Sequence, residues 1–333
     1  MKRLAIILTL IIGSCFSNVS AQDAHFTQFY AAPTLLNPAF VGTSVQSRFG
    51  MNYRNQWPAL PQAFVTYNAY YDQYMPEINS GIGLLVNHDK AGVGALTNTS
   101  VALQYAYEIR LSRTFSLRPA LQLGYTRKTL HIDKLVFGDQ LIRDGADATF
   151  EFLDTQPVGL MDLSSGLLLY SEKYWFGASA HHLNEPNETV TSGISQLSMK
   201  LSAHGGMRVK IRNPKNRRNK KDVVFAFNYK QQAEFNQLDL GAYVEMNPMV
   251  FGLWYRGLPL KDNGYSYANR EGLNILVGYH DRNYKIGYSI DVNLSQLGVV
   301  NTGGAHEISF TYEWANKRNR RLSKRRIIPC AKF

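Results

Sequence analysis

Along most of this chain, apolar and polar side chains alternate one by one. Val101, Leu103, Tyr105, Tyr107 and Ile109 share one parity, separated by small or polar residues. The same holds for Leu197, Met199, Leu201, Ala203, Gly205, Met207, Val209 and Ile211. It holds again for Tyr284, Ile286, Tyr288, Ile290, Val292 and Leu294, and for Ile308, Phe310, Tyr312 and Trp314. A period of two marks β-strands, because successive side chains point to opposite faces. Read this way, the chain predicts about 14 strands. They fall near 46–56, 63–73, 79–88, 97–109, 114–128, 158–170, 173–183, 197–211, 222–232, 237–247, 249–256, 272–281, 284–295 and 305–316. Runs of about 9–15 residues suit strands that cross a bilayer at a tilt and exceed the usual globular strand.

The connections sort by length. Arg110–Arg113, Ser171–Glu172, Asn247–Pro248 and Arg282–Asn283 read as tight turns. Most of those between them are longer: Asp89–Leu96, Thr129–Pro157, Asn184–Gln196 and Gly257–Glu271. Short periplasmic turns alternating with long extracellular loops are what outer-membrane barrels show, and a soluble sandwich has no reason to sort its loops by parity. The expected fold is all-β: a transmembrane antiparallel β-barrel of about 14 strands over 46–316. An even count puts both chain ends on the same side.

The first residues fit export. Met1-Lys2-Arg3, an apolar run from Leu4 to Ile12 and the exit Val19-Ser20-Ala21 make a signal peptide over 1–21, cleaved before Gln22. Lipidation at Cys15 is the alternative, with a poorer approach in Ile12-Gly13-Ser14. Losing Lys2 and Arg3 lowers the net charge from +11 to +9 and leaves Cys330 as the single cysteine, so no internal disulfide forms. No later segment has about 18 uninterrupted apolar residues, so no helical span is expected. Aromatic residues make up 12%, with 20 Tyr and 17 Phe, which fits strands with one face toward lipid.

Two basic clusters fall on the periplasmic side of this topology. One holds Arg208, Lys210, Arg212, Lys215, Arg217, Arg218, Lys220 and Lys221; the other is the tail 317–333 with Arg320, Arg321, Arg325 and Arg326. They either anchor on anionic headgroups of the inner leaflet or dock an acidic periplasmic protein. Export removes the chain from nucleic acid.

Chemistry is absent from the motifs. There is no G-x-S-x-G, H-E-x-x-H or phosphate-cradling glycine loop, so the chain reads as no enzyme and needs no cofactor. His181 and His182 are neighbours on a predicted strand, which would point them to opposite faces and prevent a shared metal. Asp139, Asp144 and Asp147 lack the spacing of an EF-hand loop and read as a solvated acidic loop.

The lead-in 22–45 says more. Phe26, Phe29 and Tyr30 stand at i, i+3, i+4, one face of a helical turn, and Asn37-Pro38 is a turn signal. The segment is expected to pack as an aromatic plug against the barrel's periplasmic mouth, or against a partner. Gln22-Asp23, Phe26-Thr27-Gln28-Phe29-Tyr30 and Leu36-Asn37-Pro38-Ala39-Phe40-Val41-Gly42 closely resemble the N-terminal signature of the PorP/SprF family. Tyr53-Arg54-Asn55-Gln56-Trp57, Phe137-Gly138-Asp139-Gln140 and Trp254-Tyr255-Arg256-Gly257 are further matches. The ending Pro329-Cys330-Ala331-Lys332-Phe333 is similar to the family's Cys-Pro-basic-Phe terminus, with the order around Cys330 changed.

The resemblance covers the whole mature chain. It implies an outer-membrane protein of the type IX secretion and gliding machinery of Bacteroidota, with no catalytic residues to carry over. Implied partners are a secreted adhesin or other cargo with a type B C-terminal domain, and periplasmic and outer-membrane secretion components. The barrel itself would contact the lipid bilayer with its lipopolysaccharide. Candidate partner contacts are Phe26, Phe29, Tyr30, Asn37 and Pro38 of the lead-in, and Phe137, Asp139, Phe150 and Phe152 of the longest loop. Arg256 and the tail residues Arg320, Arg321, Arg325 and Arg326 complete the set. The rival reading is a porin or transporter for small solutes.

Overall fold

The computed structural model describes residues 23, 25–44, 47–60, 64–92, 96–132, 135–143, 155–191, 193–211, 221–262, 268–293 and 299–314. One antiparallel sheet closes on itself. Its strands are β1 (Ser47–Gln56), β2 (Phe64–Met75), β3 (Ser80–Ala91), β4 (Leu96–Tyr107, resuming as Ile109–Arg110) and β5 (Ser116–Thr129). Then follow β6 (Val158–Tyr170), β7 (Tyr174–His181), β8 (Lys200–Ile211), β9 (Lys221–Gln232) and β10 (Phe235–Met246). The last four are β11 (Met249–Asp262), β12 (Ala268–His280), β13 (Tyr284–Asn293) and β14 (Ala305–Trp314). The ladder of β4 breaks only at Glu108, and both pieces pair with β5, so the count is the expected 14. β1 pairs with β14 from Ser47↔Trp314 to Gln56↔Ala305, which leaves no free edge.

The alternation in sequence becomes a lipid face and a lumen face. In β14, Ala305, Glu307, Ser309 and Thr311 are buried in the lumen, whereas Ile308, Phe310 and Tyr312 face outward. In β5, Ser116, Arg118, Ala120 and Gln122 point in, and Leu121, Leu123 and Tyr125 point out. Outward aliphatics such as Leu103, Leu163, Leu253 and Ile275 fill the middle of the band. Tyr107, Phe115, Tyr174, Tyr284 and Tyr312 ring its short-turn end, the aromatic girdle of a membrane barrel.

That end carries the turns 76–79, 111–115, 171–173, 247–248 and 281–283, the start of β1 and the end of β14. β8 leaves the membrane there at Ile211 and β9 re-enters at Lys221, so the segment between them and the chain beyond Trp314 emerge on one side. In bacterial outer-membrane barrels this is the periplasmic side. One connection differs from expectation. Gly257–Glu271 is mostly ladder: Gly257 pairs with Arg270, Leu258 with Asn269 and Asp262 with Ala268, after a register shift at Arg256/Gly257. The pairing continues past Gly257 through a stretch that contains Pro259, a residue that argues against a strand in the sequence.

Leu103 is 63% exposed at the centre of β4. Leu103→Arg is expected to destabilise the barrel in lipid vesicles by about 2–4 kcal/mol, the midplane cost of a lipid-facing Arg. Urea unfolding in bilayers measures it; an unchanged midpoint would remove Leu103 from the lipid face.

Candidate functional site

The N-terminal segment threads the lumen from end to end. It begins where Asp23 meets Lys200 and His182 at the long-loop ends of β8 and β7. It finishes where Val41 accepts from Arg118 and the Gly42 amide donates to Asp72, at the short-turn end. The sequence places the segment at the periplasmic mouth; the structure places it inside the barrel. Aromatic spacing shows which side chains need cover, but not that the lumen supplies it. Proline sets the local shape. Pro33 opens a short helix, α1 (Pro33–Leu36), and Pro38 opens a 3-10 turn over Pro38–Phe40, positions where a preset φ helps and no N–H is missed.

The centre of the plug is held by charge. Thr27 and Gln28 donate their backbone amides to the two oxygens of Glu307, at 2.7 and 2.9 Å. The Thr27 hydroxyl donates to Asp291 at 2.6 Å and accepts from Arg256 at 2.9 Å. Arg54 pairs with Asp291 at 2.9 Å and Glu307 at 3.4 Å, and Arg256 pairs with Asp239 at 3.0 Å and Asp291 at 3.2 Å. All five charged side chains are buried. A charge taken from water is tolerable only when paired and hydrogen-bonded, and here each has both.

Below this network lies an aromatic cluster. Phe29 meets Trp254 edge-on at 4.8 Å, Tyr30 meets Tyr243 at 4.8 Å, and Tyr243 meets Trp254 at 5.1 Å. Asn37 then bolts the chain to the wall. Its Nδ2 donates to the carbonyls of Leu167 and Ala178, each at 3.1 Å, and its Oδ1 accepts from the Ala39 amide at 2.8 Å. Gly166 and Gly177 make this approach possible, since a Cβ at Gly166 would collide with Asn37 and one at Gly177 with His204 and Asn37. Phe40 stacks on His204 at 5.2 Å.

At the long-loop end, Asp23 forms a clamp: Lys200 at 2.7 Å and His182 at 2.8 Å, with His182 also 3.0 Å from Asp162. Burial alone would lower the His182 pKa, but the Asp23 charge and the two carboxylate hydrogen bonds outweigh it and hold it at about 9. Burial would raise the Asp23 carboxyl, yet Lys200 and then His182 hold it well below the usual carboxylate range. His181 and His182 correct an expectation. They do not face opposite sides, because β7 ends at His181 and His182 has a left-handed backbone (φ 59°), which returns its ring to the lumen. Among the described residues no group of His, Cys, Asp or Glu is arranged to hold a metal.

The site residues named from sequence separate into groups. Phe26, Tyr30, Asn37, Pro38 and Arg256 are buried and Phe29 is half-buried, so all six are internal contacts of plug and wall. Phe137 and Asp139 flank the start of a short helix, α2 (Gly138–Ile142), in the longest loop; the Gln140 side chain accepts from the Phe137 amide and Asp139 pairs with Arg143. Phe150, Phe152, Arg320, Arg321, Arg325 and Arg326 lie outside the described residues, as do Asp144 and Asp147. Sequence reasoning missed Asp239, Asp291, Glu307, Arg118 and His204. Their signal was a charged or imidazole side chain at inward parity within a membrane strand, a placement that demands a partner.

Glu307→Ala leaves Arg54 short of a partner and two plug amides without acceptors. It is expected to cost about 3–5 kcal/mol and to release residues 25–28 to rapid amide exchange. Unaltered protection there would show that this network does not hold the plug. The clamp predicts a pH window. The raised His182 contributes fully below about 6.5 and is lost as pH rises through about 9. The depressed Asp23 contributes above about 3.9 and is lost only in stronger acid. Protection factors at residues 25–28 should therefore fall above about pH 9, and His182→Gln should lower them already at pH 7; identical profiles for the two proteins would exclude the clamp.

Three kinds of comparison bear on identity. Among curated proteins no match is found. Among solved structures, the chain is similar to the outer membrane protein Omp33 of Acinetobacter baumannii, at 7% identity and a TM-score of 0.43, covering 81% of this chain and 99% of that one. It is also similar to the P. putida toluene transporter TodX (11%, 0.44, 85% and 94%) and to the KdgM porin (8%, 0.37, 80% and 99%). A family model described as type IX secretion system membrane protein PorP/SprF matches residues 18–312. That span takes in the plug, Asn37, Arg54, Arg256 and thirteen of the strands entire, with β14 to within two residues of its end. The chain therefore belongs to the PorP/SprF family of type IX secretion system membrane proteins, and its closed barrel sits in the outer membrane.

Proposed function

We propose that this barrel is a non-enzymatic binding scaffold of type IX secretion. It holds a secreted surface protein, one with a type B C-terminal domain, at its outer face and attaches to periplasmic secretion components through its basic inner face. The observation that carries the reading is the self-filled lumen. A solute pore needs a continuous aqueous path, whereas here Gln28, Asn37, Arg54, Trp254 and Glu307 lie fully or almost fully buried between plug and wall.

The two faces support the division of labour. On the outer loops, Val136, Leu141, Ile142 and Ile194 are 64–85% exposed beyond the apolar band, where protein contact rather than lipid would cover them. At the inner end, Arg208 is already paired with Asp222 and Glu245. The two basic clusters of the sequence follow Ile211 and Trp314, which stand at the same end of the barrel.

Replacing residues 130–157 with a short Gly-Asn-Gly turn that keeps the barrel closed is expected to lower surface retention of the cargo. Replacing Arg320, Arg321, Arg325 and Arg326 with Gln should weaken attachment of the periplasmic partner and its salt sensitivity, since exposed charges are screened within about 8 Å at physiological ionic strength. Pull-down from native membranes reads both. In planar bilayers the intact protein should pass no steady current; a stable, selective open channel would replace this reading with the porin or transporter.

A further inference from the structure

The plug does not fill the lumen evenly. A cavity of about 450 Å³ remains in the long-loop half, within the range of about 300–1,000 Å³ typical of ligand sites. It exists because the wall of β4 and β5 is built there from small residues. Ser100, Ala102 and Gly124 line it, and a Cβ added at Gly124 would meet nothing closer than 3.6 Å. The lining residues Phe64, Leu96 and Lys128 stand at the long-loop ends of β2, β4 and β5, so the cavity reaches the outer mouth.

The charges around it are spent on one another. Lys128 pairs with Glu188 at 2.8 Å, Lys200 with Asp23, and His182 with Asp23 and Asp162. Arg54 is turned to Asp291 and Glu307. An anionic ligand would find no unspent cation, and the one lining carboxylate outside these pairs, Asp89, accepts from the Thr66 hydroxyl. What the wall offers is amide and hydroxyl. Asn87 and Asn98, on adjacent strands, have buried Oδ1 atoms with no protein partner, and Asp89, held by Thr66, adds an acceptor on the same wall. A modest rotation of either carboxamide would present it to the cavity, where a ligand hydroxyl would supply the partner its oxygen lacks. Leu35, Leu85 and Leu160 line part of the same space and suit the C–H face of a sugar ring, with Phe64 at the rim.

We propose that this cavity is a binding site for a neutral oligosaccharide, held by the carboxamides of Asn87 and Asn98 over an apolar floor. A peptide fits less well, because extended chains are usually bound by adding a strand to a sheet edge and a closed barrel has none. The site is independent of whether the barrel retains a cargo.

The test titrates the full-length, detergent-solubilised protein with maltotriose, cellotriose and triacetylchitotriose, and in parallel with a capped neutral Gly/Ser/Asn hexapeptide, by calorimetry and saturation-transfer NMR. At least one saccharide is expected to saturate with Kd below about 1 mM. Asn87→Leu with Asn98→Leu should weaken it at least about tenfold, and Gly124→Leu, which projects a side chain into the cavity beside Ala102, should weaken it further. Heat-dependent gel mobility confirms that each variant is a closed barrel. Binding by none of the three saccharides, binding unchanged in both variants, or saturation by the peptide alone would overturn the proposal.

Discussion

Inside a bilayer no water is available to take up an unpaired N–H or C=O, so a sheet with a free edge cannot stay there. Pairing of β1 with β14 along ten residue pairs removes the last edge of this sheet. The rest of the molecule follows from that closure. Closing the sheet creates a lumen, and period-two alternation then sends a polar set of side chains into it, among them Arg54, Asp239, Arg256, Asp291 and Glu307. Charged groups packed together in a confined interior need partners, and the chain supplies its own in the segment that precedes β1.

The plug and the closure are linked through one place. Glu307 lies on β14 and Arg54 on β1, the two strands that meet at the seam, and their registers pair them directly. Both reach Thr27, and Glu307 also takes the Gln28 amide. The Gln28 side chain donates to Ser289 and accepts from Ser309, which ties β13 and β14 to the same point. The seam thus carries the usual ladder bonds on its backbone and a second, buried set through the plug.

Filling one part of the lumen shapes what the rest can do. In the short-turn half, Tyr30, Phe40, Trp175, Tyr243 and Trp254 pack into one cluster with the plug. In the long-loop half the wall of β2–β6 stands clear of it and keeps a polar cavity. The barrel therefore resembles a stoppered vessel, with a closed periplasmic half and a recess toward the outside.

Much of this was legible in the sequence, for a local reason. Alternation is a property of neighbours, so β6 was expected at 158–170 and lies at Val158–Tyr170, and tight turns at Ser171–Glu172 and Asn247–Pro248 fell where the ladders end. Where the local signal stops, structure departs from it: the ladder beyond Gly257 runs through Pro259, which reads as loop, and His182 lies one residue past its strand and changes faces. The spacing of Phe26, Phe29 and Tyr30 shows that they need cover, whereas the inward charge of Glu307, although its parity carries the signal, is missed from sequence. That these two needs meet, across 280 residues between Thr27 and Glu307, was decided only when the sheet closed around the segment, because no periodicity relates positions so far apart.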